Sequence, residues 1–130
     1  MLTRRALNIL PAALLPFVAT SASAEWTKVG QDDGQVVYVD ASTFEKAGDV
    51  RRAWTLTDLK LPRGDDVASF RELSDFNCRE ARRRIVFLVT YAGPMATGKV
   101  LESGRPLLDK FENVSPYSPG GWQFEYVCGK

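Results

Sequence analysis

The chain has 130 residues and no histidine. That excludes a Ser-His-Asp or Cys-His catalytic arrangement. Only two cysteines are present, Cys78 and Cys128, too few for a thiolate metal site, and no histidine can complete one. No charge sign dominates: Lys+Arg is 17 and Asp+Glu 16, a net +1. This leaves no global basic field for nucleic acid and no acidic tail. No internal repeat or low-complexity segment is visible. The apolar run Ala6 to Val18 is interrupted by Pro11 and Pro16. It falls short of the roughly 20 residues that a membrane-spanning helix needs.

What is there begins with an address. Arg4 and Arg5 form a positive n-region, the apolar run follows, and Ala22-Ser23-Ala24 is a small-residue cleavage site before Glu25. This is the pattern of a secretory signal peptide over residues 1–24. The twin arginines also touch the twin-arginine signal. General secretion is the expectation, because no cofactor motif follows that would require folding before export. Removing the first 24 of 130 residues leaves 106, Glu25 to Lys130. Arg4 and Arg5 leave with the leader, so Lys+Arg falls to 15 against 16 and the net charge becomes −1. The first cysteine is Cys78, far from the cleavage site where a lipid anchor would attach. The expected product is one soluble domain of residues 25–130 with no integral membrane segment, periplasmic or extracellular. A chain of this size buries roughly 60–70% of its unfolded surface, so a cross-link matters to it. Two cysteines 50 positions apart in an exported chain read as one bridge, the alternative being two free thiols.

In chain order, Trp26 to Gly30 and Gln35 to Asp40 read as a hairpin around the Asp33-Gly34 turn. Ala41 to Lys46 is a connection containing one helical turn, and Ala47-Gly48-Asp49 turns again. Val50 to Leu61 is a long strand whose polarity changes sides, predicting a bulge or twist. Pro62 to Asp66 is a loop and Ala68 to Cys78 a strand. Arg79 to Arg83 is a polar corner. Arg84 to Tyr91 reads as the central strand, with Ile85, Phe87, Val89 and Tyr91 on one face and Val86 and Leu88 on the other. Gly98 to Ser103 adds a strand, and Gly104 to Asn113 connects, with a helical turn at Pro106 to Lys110. The tail is readable both ways. Ser118 and Pro119 suit a helix start, but Gly120-Gly121 disfavours a helix and Trp122 to Tyr126 alternates like a strand.

Three groups of residues invite functional readings. Gly93 to Val100 nearly matches the phosphate-binding loop, but Val100 stands where a Mg²⁺-binding hydroxyl is required, and no long helix follows. It reads as a loop between strands. Arg79, Arg82, Arg83 and Arg84 concentrate positive charge and form the candidate binding patch for a polyanion. Their structural role would be a solvated corner guarding an aggregation-prone strand, with Glu72, Asp75 and Glu80 nearby. Arg71 joins the patch if its strand lies alongside. Asp32-Asp33 and Asp65-Asp66 are turn residues and Asp40 ends a strand. Trp26, Trp54 and Trp122 are core or interface anchors. Neither a catalytic centre nor a cofactor or metal is expected. The residues by themselves predict a small exported β-rich domain.

Several short segments occur in a telling order. They are Trp26; Val37-Tyr38-Val39-Asp40; Trp54 to Asp58; Ser69; Asp75 to Cys78 leading to Arg82 and Arg84; Phe111 to Ser118; and Val127-Cys128. Together they resemble the bacterial surface-adhesin protein E-like domain, across nearly all of residues 25–130. The resemblance implies an α+β, mainly β fold: an antiparallel sheet of five to six strands, a C-terminal helix packed on it, and a Cys78–Cys128 bridge. It replaces the final strand by a helix starting at Ser118-Pro119, with an irregular first turn because of Gly120-Gly121. For function it implies a non-enzymatic binding domain of the adhesin type. Its partners would be extracellular matrix or serum proteins such as laminin and vitronectin, with homodimer formation through the sheet. The alternative is a soluble periplasmic envelope protein that binds a small ligand or a partner protein.

Overall fold

The computed structural model describes residues 24–129. The expected leader lies outside the described residues except for Ala24. Eight strands form one antiparallel sheet: β1 Trp26–Gln31, β2 Gln35–Asp40, β3 Glu45–Ala47, β4 Val50–Leu59, β5 Ser69–Asn77, β6 Arg82–Tyr91, β7 Val100–Gly104 and β8 Glu112–Asn113. One helix, α1, spans Pro119–Cys128. The main path runs β1-β2-β4-β5-β6-β7, with β3 paired to β4 and β8 to β6. The mainly β sheet-plus-helix fold is as expected, with more strands than five to six. The two additional strands are three and two residues long, too short to show a period of two in the sequence. β3 pairs with the start of β4 across the Gly48-Asp49 turn. The helical turn expected before it is a 3₁₀ turn at Ala41–Thr43, capped by the Asp40 carboxylate, which accepts from the Ser42 amide at 3.0 Å.

The polarity switch in β4 is not a bulge. Its register with β5 runs unbroken from Val50 opposite Asn77 to Asp58 opposite Ser69. A bulge lies instead in β6, where Leu73 faces Phe87 and Ser74 faces Ile85, leaving Val86 as the extra residue; the β1–β2 and β6–β7 registers also shift, between Lys28 and Gly30 and between Thr90 and Tyr91. Simple alternation put Ile85 with Phe87; the bulge moves it to the Arg83 face. Nor is β6 central. That position belongs to β4 and β5, and most of β6 is only half-buried. On its outer side β6 pairs with β8 at Arg82–Arg83 and with β7 at Leu88–Tyr91, leaving a gap between them. The connector across this gap, residues 105–111, forms no helical turn.

Helix α1 covers one sheet face. Val39, Ala53, Phe76 and Val127 are fully buried there, with Val29, Phe44, Phe124, Tyr126 and Cys128 packed around them. Fully burying a Val or Phe side chain contributes about 1.5–3 kcal/mol. The helix starts on the expected cap: Ser118 Oγ accepts from the Gly121 amide (3.1 Å), and Pro119 occupies the first turn. That turn is regular, with the Trp122 amide donating to the Ser118 carbonyl at 2.9 Å. The glycine that disfavoured a helix is required by packing. A Cβ on Gly121 would lie 2.3 Å from the Ser115 carbonyl oxygen. At the other end Arg51 donates to the Val127 carbonyl (2.6 Å), satisfying one of the last helical acceptors. Cys78 and Cys128 are joined, with Cα atoms 5.4 Å apart, tying the helix end to the end of β5.

Candidate functional site

The arginine corner sits on the β5–β6 hairpin, whose turn is held by Asn77 Oδ1 accepting from the Glu80 amide at 3.0 Å. The hairpin brings the four arginines to one end of the sheet but splits them between surfaces. Arg83 and Arg84 are consecutive on a strand and point to opposite faces. Arg83, on the helix side, donates to Glu72 Oε1 at 2.8 Å, and its side chain is 19% exposed. Arg84, on the open side, donates to Asp75 Oδ2 at 2.8 Å and lies 3.6 Å from Asp109. Its guanidinium also stacks over Phe111, 4.6 Å from the ring centroid. Arg79 is largely exposed, with Asp49 at 3.9 Å, and Arg82 is exposed. The corner therefore divides into two anchored arginines and two that face solvent.

Asp75 organises the anchored half. It is 2% exposed. It accepts from Arg52 through Nε (2.7 Å) and Nη2 (3.0 Å), and from Arg84 on the other side. Burial alone would raise its pKa. The hydrogen bonds and charges of Arg52 and Arg84 outweigh burial and hold the carboxyl below its usual range. Composition and alternation could not reveal this cluster, since it depends on which residues of β4, β5 and β6 stand opposite one another.

The rest of the open face is an aromatic and arginine layer. Trp54 meets Phe87 edge-on at 6.4 Å. Arg71 stacks on Trp54 at 4.7 Å and lies 5.8 Å from the Tyr91 centroid. It stands opposite Val89, four positions along β5 from Asp75 and so roughly 13 Å from the corner. It does not extend the patch. Trp26 is half-buried at the start of β1, and Trp122 packs over Gly30, so the three tryptophans serve separate sites.

The near-match to a phosphate loop holds no phosphate cradle. The amides of Met95 and Ala96 already donate to Asp58 Oδ1 and Ser69 Oγ, both at 2.9 Å, and a strand follows instead of a helix. Among the described residues no cluster of three or more carboxylates and cysteines is placed to hold a metal ion. A groove of about 430 Å³ lies beside β6 at the gap between β7 and β8, lined by Arg83, Ile85, Leu108, Lys110, Ser118 and Gly120 among others.

A sheet of this order, closed by one late helix and a bridge to the end of β5, has known counterparts. The family model of surface-adhesin protein E matches residues 26–129. The chain belongs to this family. Solved structures of Haemophilus influenzae protein E share the fold. Crystal form II superposes with a TM-score of 0.52 at 13% identity, covering 82% of this chain and 95% of that one. The selenomethionine form gives 0.52 at 12% identity, covering 82% and 94%. At such identity the likeness to those structures is one of fold. No curated protein sequence matches the chain. Within the protein E family fold, the two anchored arginines belong to the framework, and the open face, the groove and the solvent-facing arginines form its accessible surface.

Proposed function

We propose that this protein is a non-enzymatic, exported binding domain of the adhesin type that engages acidic or sulfated macromolecules. Membership of the surface-adhesin protein E family supports the class. The observation that carries the chemistry is the solvent-facing pair Arg79 and Arg82 at the hairpin end, where Arg79 has only a distant carboxylate and Arg82 is exposed. Arg83 and Arg84 hold that end in shape through Glu72 and Asp75. On this reading the chain is exported with cleavage after Ala24, and N-terminal sequencing of the mature protein begins at Glu25.

The test is solid-phase binding of the folded protein to heparin, laminin and vitronectin at low and high salt. Exposed charges are screened within about 8–10 Å at physiological ionic strength, so binding falls steeply as salt rises. Arg79→Ser/Arg82→Ser removes binding while leaving the melting temperature unchanged. Equal binding by wild type and the double variant refutes the arginine reading. The alternative, a periplasmic protein that binds a small ligand, would use the groove beside β6. It gains if neither protein binds these macromolecules and the native protein cannot be labelled on intact cells.

A further inference from the structure

Away from the arginine corner, the open face carries a cation that the fold leaves without an acceptor. Arg71 stands opposite Leu56 on β4 and Val89 on β6. Its guanidinium lies over the Trp54 ring at 4.7 Å and 5.8 Å from the Tyr91 centroid, so the rings fix its position. It makes no hydrogen bond and no ion pair among the described residues. Nε is enclosed without a partner, while the Nη groups stay open. The other charges of this face are engaged. Arg52 and Arg84 share Asp75. Asp58 accepts from the Met95 amide, Glu45 stands opposite Arg52, and neither acid pairs with Arg71.

Arg71 and its rings lie in a trough. At one end the loop of residues 93–98 is strapped onto the open face, its Met95 and Ala96 amides donating to Asp58 and Ser69. At the other, Arg84 stacks on Phe111 beside Asp75. From Ser69 to Asp75 along β5 the trough is roughly 20 Å long. Beside Trp54 it opens into a hollow of about 510 Å³ lined by Ser42, Thr43, Glu45, Arg52 and Leu73 among others. There Arg52 commits Nε and Nη2 to Asp75 and keeps Nη1, and Glu45 is exposed.

We infer that this trough binds an acidic saccharide, an oligosaccharide bearing carboxylates, with one carboxylate on the Arg71 guanidinium and a sugar ring packed beside Trp54. A carboxylate supplies the acceptors that Arg71 lacks, through charge-assisted hydrogen bonds. The polarised C–H face of a sugar meets the negative face of an aromatic ring. Arg52 Nη1 and the Glu45 carboxylate offer a donor and an acceptor to sugar hydroxyls. The apolar anchor of a protein partner fits less well. Hot-spot pockets are fully desolvated, whereas this hollow is bordered by a guanidinium and a carboxylate.

The experiment is isothermal titration of the folded, disulfide-bonded protein with tetragalacturonate, with its methyl ester and with sodium acetate. Wild type binds tetragalacturonate and loses roughly tenfold or more in affinity when the carboxylates are esterified. Arg71→Gln, which breaks no hydrogen bond or ion pair of the fold, brings the acid down to the affinity of the ester. Trp54→Phe weakens acid and ester alike. No binding by wild type, equal affinity for acid and ester, or unchanged binding by Arg71→Gln overturns the inference. Acetate that competes as well as tetragalacturonate at equal carboxylate concentration leaves an anion site without a sugar site, and overturns it too. So does a wild-type dimer that Arg71→Gln dissociates in the absence of any saccharide binding, which assigns the face to a second copy. Arg79→Ser/Arg82→Ser leaves tetragalacturonate binding unchanged, so failure of this site and failure of the corner reading are told apart by different variants.

Discussion

Replacing Asp75 by Asn should destabilise the protein strongly at neutral pH and hardly at all in acid. The carboxylate is buried and joins Arg52 on β4 to Arg84 on β6 across the middle strand β5. Asparagine keeps the volume and removes the charge, taking from the two guanidinium groups their shared buried counter-ion and leaving Arg84 only the exposed Asp109 at 3.6 Å. Breaking a buried pair from one side costs about 3–5 kcal/mol. Here the Arg52 and Arg84 side chains are 38% and 31% exposed, so water restores part of their solvation. A loss of about 3 kcal/mol is therefore expected, at the low end of that range. For a domain of this size that lowers the melting temperature by roughly 10–15 °C. The pH dependence has a definite sign. The folded-state pKa of Asp75 is depressed. Its stabilisation is thus complete above the ordinary aspartate value of about 3.9 and is lost as pH falls through the lower folded value. Thermal melts of wild type and Asp75→Asn from neutral pH to pH 2 should show a gap that is constant above about pH 5 and narrows below it. Asp65→Asn, at an exposed pair with Arg63, serves as the control with no measurable shift. A gap under 2 °C at neutral pH (roughly 0.5 kcal/mol), or one that persists unchanged in acid, would refute the reasoning.

Gly30→Ala should be destabilising, because its Cβ would lie 2.4 Å from the Trp122 ring. Urea titration should report a loss of about 1–3 kcal/mol, the usual cost of overpacking. Cys78→Ala opens a 50-residue loop and should cost about 2–5 kcal/mol, read as a lower denaturation midpoint. Ser118→Ala removes the acceptor for the Gly121 amide and should cost about 1 kcal/mol in the same assay.

Much of the sheet was legible because turn chemistry is local. Asp32 Oδ1 accepts from the amides of Gly34 and Gln35 at 2.8 and 3.0 Å, so the first hairpin could be read from four residues. The Ser118-Pro119 helix start was equally local. The glycine pair after it obscured the helix, because its reason is a contact with Ser115 that has no sequence period. The bulge at Val86 is likewise a property of two strands together, and its effect was to transfer Ile85 to the other face. The arginine corner was found as a cluster in sequence. Its division into framework and accessible pairs follows from strand alternation plus the cross-strand positions of Glu72 and Asp75, which only register reveals. Leu107 and Leu108 were read as part of a helical turn. The segment instead bridges the gap between β7 and β8, a gap that no local pattern announces.

The packing of Trp122 against Gly30 joins the last element in chain order to the first. A polypeptide that emerges N-terminus first, from a ribosome or a translocation channel, therefore lacks the cover for its core until residues 119–128 have appeared. The Cys78–Cys128 bond obeys the same schedule. Long-range contacts of this kind slow folding, because the intervening chain must be ordered before they form. Partial chains would expose the Val39, Ala53 and Phe76 surface that α1 covers, the kind of apolar surface that chaperones shield. The core is thus closed only when α1, the last element in chain order, is in place.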